Sequence, residues 1–79
     1  MIVNLLYFAQ VSEKLGISTE ALEVPDKINT DELLEKLSIK YPALSNLSFN
    51  IAVNQVLIKS ATTLTEGSEV ALLPPFAGG

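Results

Sequence analysis

Hydrophobic and polar residues alternate along several segments of the chain, which is the pattern of β-strands with two different faces. The first such segment, residues 2–9, places Val3, Leu5 and Tyr7 on one face and Asn4, Leu6 and Phe8 on the other. The same pattern predicts strands at residues 19–24, 51–55 and 69–73, and residues 56–59 fit a short further strand after a turn. We therefore expect a sheet of four or five strands.

A spacing of three or four residues between apolar positions predicts one main helix, capped by Asn29 or Thr30 and stopped near Lys40 by Pro42. Its apolar stripe consists of Leu33, Leu34, Leu37 and Tyr41. Because one helix covers only one face of a sheet, the element order predicts an α+β fold, in which the helix packs on one face of a mixed sheet.

Two connecting segments have weaker patterns. Residues 10–15 fit a short helix that ends at Gly16, a residue suited to the left-handed backbone after a helix. Residues 43–50 show no regular period, and we expect irregular backbone there.

The composition excludes several classes of function. The 79 residues carry a net charge of −4 and contain no Cys and no His. Disulfides, thiolate nucleophiles and Cys or His metal ligands are therefore excluded, and we expect no metal site and no catalytic side chains on this chain. The acidic balance argues against binding to nucleic acid or to a membrane surface, and without a signal-peptide pattern we expect a cytoplasmic protein.

The last six residues differ in character from the rest of the chain. Two prolines follow the last predicted strand and cannot continue a sheet ladder, and two glycines end the chain. We therefore divide the chain into a domain, residues 1–73, and an extended tail made of Pro74, Pro75, Phe76, Ala77, Gly78 and Gly79. A terminal glycine has no β-carbon to obstruct a narrow channel, so this tail is suited to enter the active site of a partner.

Four blocks resemble the small subunit of molybdopterin synthase, a ubiquitin-like sulfur carrier of the β-grasp fold, over nearly the whole length. They are Tyr7-Phe8-Ala9-Gln10-Val11, Ala52-Val53-Asn54-Gln55, residues 64–71 and the terminal block 74–79. The terminal block is the specific one. Ser68 departs from the Asp that is usual in this family, in a turn where Ser makes a similar but weaker local bond.

This resemblance implies a role for the chain terminus. In that family an ATP-dependent activating enzyme adenylates the C-terminal glycine, and sulfur then replaces AMP to give a thiocarboxylate. Here Gly79 would carry AMP and then sulfur in turn, and Gly78 would allow the close approach. No permanently bound cofactor is implied.

The resemblance also implies partners. The large synthase subunit would receive the tail, in an assembly of two small and two large subunits, and sulfur transfer would convert cyclic pyranopterin monophosphate into molybdopterin. If the first and last strands are neighbours, as the family fold implies, Leu6, Phe8 and Leu73 form one exposed apolar patch at the root of the tail. Such patches mark partner sites. The Phe76 ring either fills a partner pocket or stays in solvent.

Three alternatives stay open on the sequence. One is a thiamin-pathway sulfur carrier, although such carriers typically lack the two prolines. Another is a ubiquitin-like modifier joined to lysines of other proteins. The last is an interaction domain whose tail is never activated.

Overall fold

A computed structural model describes residues 1–75 of the chain. This part contains five strands, two α-helices and one short 3-10 helix. In chain order they are β1 (Ile2–Tyr7), α1 (Ala9–Leu15), β2 (Thr19–Glu23), α2 (Thr30–Lys40), the 3-10 helix (Pro42–Asn46), β3 (Asn50–Val53), β4 (Val56–Leu57) and β5 (Glu69–Leu73).

The strands form one mixed sheet in the order β2-β1-β5-β3-β4. The first and last strands are parallel neighbours at its centre, and the other pairs are antiparallel. This confirms the predicted mixed sheet with its main helix on one face, and it places the end of the last strand beside the end of the first.

One face of the sheet carries the hydrophobic core. Val3, Leu5 and Tyr7 of β1 are buried there, as the alternation predicts. Buried leucines of α2 and Val11 of α1 belong to the same core. We call this helix-covered side the inner face and the opposite side the outer face.

The main helix begins at a complete capping box. The Asn29 side chain accepts a hydrogen bond from the Glu32 N–H at 2.8 Å, and the Glu32 carboxylate accepts one from the Asn29 N–H at 3.0 Å. Asn29 is thus the cap, and the helix ends at Lys40, before Pro42, as predicted. Its leucines Leu33 and Leu37 are fully buried.

Two local predictions were wrong. Residues 43–50 are not irregular throughout, because Pro42 begins a 3-10 helix whose Leu44 is 3% exposed and is drawn into the core, and Asn50 begins β3. The strand predicted at 51–55 ends at Val53, because Asn54 and Gln55 form the turn to β4. The short fourth strand exists but ends at Leu57.

Candidate functional site

The outer face of the sheet carries an apolar surface that does not belong to the core. Ala52 and Ala71 are buried but lie outside the core cluster, as do Leu6 and Leu73, which are half-buried. Phe8 and Leu57 are 44% and 51% exposed. We call the six residues Leu6, Phe8, Ala52, Leu57, Ala71 and Leu73 the outer patch.

The strand register places four of these residues in one row across the sheet. Leu6 lies opposite Ala71, Ala71 opposite Ala52, and Ala52 opposite Leu57. Directly paired residues project to the same face, so two leucines flank two small alanines. The row is an apolar strip across the sheet whose smallest side chains lie at its centre.

The remaining two members lie where the tail leaves the domain. The Phe8 N–H donates to the Leu72 carbonyl at 3.2 Å and so continues the pairing of the two central strands. Phe8 is therefore level with Leu73, after which Pro74 and Pro75 follow without strand structure. The prolines end the ladder, as predicted. The patch thus reaches the root of the tail.

A strained residue turns the chain at this end. Ala9 has φ 49°, in the left-handed region of backbone conformation. Residues other than Gly, Asn and Asp rarely adopt this region. It lies between exposed Phe8 and Val11, which is 1% exposed. The left-handed backbone therefore lets the chain pass from the outer face into the core within three residues.

The opposite end of the outer face is polar. Asn4 lies opposite Glu69, and the Glu69 N–H donates to Asn54 Oδ1 at 2.9 Å. Beyond them the Glu66 carboxylate accepts from the Ile2 N–H at 3.0 Å. An apolar area near the tail is thus followed by polar and acidic groups, and such a surface complements a partner with an apolar centre and basic rim.

The sequence predictions for this site divide into three groups. Leu6, Phe8 and Leu73 lie together on the outer face, where Phe8 is exposed and the two leucines are half-buried, and their role in partner binding stays a prediction. Leu57, Ala52 and Ala71 were missed as patch members. The missing signal was the turn at residues 54–55, which fixes the face of Leu57. The predicted tail residues Phe76, Ala77, Gly78 and Gly79 lie outside the described residues.

A partly buried polar cluster on the inner side fixes the edge strand β2 to the end of α2. The Glu20 carboxylate accepts hydrogen bonds from Tyr7 at 2.8 Å and Tyr41 at 3.0 Å, and also pairs with Lys40. Burial opposes ionisation of Glu20, but hydrogen bonds from Lys40, Tyr7 and Tyr41 outweigh it and hold its pKa below the usual range. The pKa of Tyr7 is raised, mainly by burial of its hydroxyl group and secondly by its hydrogen bond to Glu20.

Other classes of site find no support in the described part of the chain. No group of three or more His, Cys, Asp or Glu side chains among residues 1–75 is placed to hold a metal ion. None of the helices in this range has the length and apolar character needed to span a membrane. The outer patch, an apolar surface outside the core, is the candidate docking site of the described residues.

Comparison with known proteins agrees with this architecture. The molybdopterin synthase sulfur carrier subunit of Mycobacterium tuberculosis is 38% identical over 80 residues, which cover 98% of this chain and 96% of that protein. A putative molybdopterin converting factor subunit 1 from Pyrococcus furiosus superposes with a TM-score of 0.88 at 23% identity, covering 96% of this chain and 99% of that one.

Another solved structure contains a partner. It is the complex of subunits 1 and 2 of molybdopterin-converting factor from Helicobacter pylori, whose matching chain is 28% identical with a TM-score of 0.71, both chains being fully covered. The sequence model of the ThiS family matches residues 5–79. The chain therefore belongs to the ThiS family, within the group of ubiquitin-like β-grasp sulfur carriers that includes the small subunits of molybdopterin synthase.

Proposed function

We propose that this chain is the sulfur carrier subunit of a molybdopterin synthase. The observation that carries this proposal is the match along nearly the whole chain to curated sulfur carrier subunits of that enzyme, of which one is 38% identical. The Gly78-Gly79 end and the apolar surface at the root of the tail support it independently, since both suit a carrier that delivers its terminus to another protein.

The proposed chemistry takes place at the Gly79 carboxylate. A carboxylate oxygen attacks the α-phosphorus of ATP on an activating enzyme, and pyrophosphate leaves. Hydrosulfide then attacks the acyl carbon, the bond from that carbon to AMP breaks with its electron pair leaving on AMP, and loss of the S–H proton gives a thiocarboxylate. AMP and sulfur are thus carried transiently, and the groups that stabilise these steps belong to the partner, since His and Cys are absent from this chain.

The proposed acceptor is the large synthase subunit, which binds the outer patch. Its active site takes up the tail, and two sulfur transfers convert cyclic pyranopterin monophosphate into molybdopterin. Support for this partner comes from the Helicobacter pylori protein, which forms a complex of subunits 1 and 2. We propose two small and two large subunits in the assembly.

Reconstitution tests this function. The chain is prepared with a Gly79 thiocarboxylate, and mass spectrometry should show a gain of about 16 Da because one oxygen is replaced by sulfur. Mixed with the large subunit of the same organism and cyclic pyranopterin monophosphate, it should yield molybdopterin, whereas the carboxylate form should yield none. Failure of the thiocarboxylate form to give molybdopterin would refute the proposed acceptor.

The products found in cells separate the alternatives. Conjugates in which Gly79 is joined to lysines of other proteins would indicate a modifier. Sulfur transfer to a thiazole precursor would indicate the thiamin pathway. A terminus that is found only as the free acid, in cells that are making the molybdenum cofactor, would indicate a domain that is never activated.

A further inference from the structure

The turn between β3 and β4 has two consecutive residues with left-handed backbone. Asn54 has φ 50° and Gln55 has φ 71°. This is the backbone of a two-residue hairpin turn in which Asn followed by Gly is the favoured pair, because Gly has no β-carbon to strain the second position. Gln55 therefore occupies a position where Gly would be less strained.

Asn54 has a clear role within the domain. Its N–H donates to the Glu69 carbonyl at 2.8 Å, and its side-chain oxygen accepts from the Glu69 N–H at 2.9 Å. Asn also tolerates the left-handed region better than most residues. The fold thus accounts for the first turn residue.

The fold does not account for Gln55 in the same way. Its side chain is exposed, and none of the side-chain hydrogen bonds within residues 1–75 involves it. Residues in sparsely populated backbone regions cluster at active sites and ligand-binding surfaces. Gln55 thus has a strained backbone, and within residues 1–75 no side-chain hydrogen bond compensates for it.

The position of Gln55 indicates what uses it. The turn leads directly into β4, whose Leu57 is 51% exposed and ends the row of the outer patch. Typical interfaces surround an apolar centre with polar groups that hydrogen-bond across the boundary. An amide at this point offers both a donor and an acceptor to whatever covers the patch.

We propose that Gln55 is a binding residue for the large synthase subunit, hydrogen-bonding a backbone amide or polar side chain at the rim of the outer patch. This inference rests on the proposed function, which identifies the large synthase subunit as the protein that covers the outer patch. It predicts that the Gln55 side chain lowers the stability of the free domain, because of backbone strain, and raises the affinity for the large subunit.

Two substitutions separate strain from binding. Gln55→Gly removes both the amide and the strain, whereas Gln55→Ala removes the amide but keeps a β-carbon in the left-handed region. Binding of each full-length variant to the large subunit is measured by titration calorimetry, and unfolding of the free variant by thermal denaturation. Ser38→Ala, an exposed polar truncation on α2, is the matched control.

Both Gln55 variants should bind the large subunit about threefold to tenfold more weakly, the usual effect of losing one interfacial hydrogen bond. Only Gln55→Gly should raise the Tm of the free domain, by a few degrees, because only Gly relaxes at positive φ. The control should change neither quantity.

Unchanged binding in both Gln55 variants would overturn the inference, and so would a lower Tm for Gln55→Gly than for Gln55→Ala. A parallel measurement with Phe8→Lys shows which proposal has failed. If Phe8→Lys weakens binding and the Gln55 variants do not, only the role of Gln55 is wrong. If none of them weakens binding, the outer patch is not the docking surface.

Discussion

The Phe8 N–H donates a hydrogen bond to the Leu72 carbonyl at 3.2 Å, two residues before the first proline of the tail. This bond fixes the single aromatic ring of the outer patch beside the point where the chain leaves the sheet. In the proposed function, a partner that covers Phe8 would also hold the root of the tail, and delivery of the terminus would take place within one complex. The central pair of parallel strands therefore places the proposed docking surface next to the start of the tail.

Replacement of Phe8 by Lys should weaken binding to the large subunit by more than about tenfold, because a buried aromatic ring contributes about 1.5–3 kcal/mol. The fold should persist, since the ring lies outside the core. Calorimetric titration and thermal unfolding measure the two effects. Ile39→Lys is the control, because Ile39 is 83% exposed and lies on α2. Unfolding of Phe8→Lys would place the ring in the core instead.

Leu57→Lys tests the extension of the patch that only the structure revealed. Leu57 pairs with Ala52 on the outer face, whereas its neighbour Val56 pairs with Val53, a core residue. Leu57→Lys should weaken binding to the large subunit at least severalfold, and Val56→Lys should have a much smaller effect on that binding. Equal losses for the two variants in the same titration would contradict the assignment of faces.

Deletion of Gly78 and Gly79 should leave the Tm of the domain unchanged, because the last strand ends at Leu73. The same deletion should abolish sulfur transfer, since it places the terminal carboxylate on Ala77, two residues short of the position that carries sulfur in the proposed mechanism. Differential scanning calorimetry and the molybdopterin assay measure the two outcomes. A large loss of Tm in the truncated chain would refute the division into domain and tail.

The stability of the domain should fall at acid pH partly through Glu20. Its pKa in the folded state lies below the usual value, so between the folded and unfolded pKa values the unfolded chain binds more protons. The stabilisation is therefore complete above the unfolded pKa of about 4.3 and is lost as pH falls through the folded pKa.

Glu20→Gln tests this contribution. At pH 7 the variant should lose about 1–2 kcal/mol of unfolding free energy, because hydrogen bonds to a charged acceptor become neutral ones. Below pH 4 the difference from the parent chain should shrink. Urea unfolding at several pH values measures it, and a difference that stays constant with pH would exclude the proposed role of the charge. Glu32→Gln is a useful control, since Glu32 is exposed and the Gln side chain still has an oxygen that can accept the hydrogen bond from the Asn29 N–H.

Much of the fold could be predicted from local patterns. Alternation along β1 placed Val3 and Leu5 in the core because adjacent residues of a strand face opposite sides of the sheet. Capping chemistry predicted the helix start at Asn29 or Thr30, and the structure identifies Asn29 as the cap. The 3-10 helix at Pro42–Asn46 was not predicted, because such short helices have no period long enough to recognise and this one is held by the burial of Leu44.

The site was only partly predictable. Leu6 and Leu73 could be assigned to a face from the pattern, but their proximity depended on the pairing of β1 with β5, which the family resemblance supplied. Leu57 was missed because the turn at Asn54 and Gln55 sets its face, and the strand had been predicted to continue through those residues.

By itself the sequence determined the strand faces, the capped helix and a chain that ends in two glycines after two prolines, because these depend on residue type and short spacings. Only the tertiary structure decided that residues 8, 57 and 73 share one surface, because strand order and register bring together positions far apart in the chain. The structure also shows left-handed backbone at Ala9 and Gln55, against the ordinary preference of their residue types.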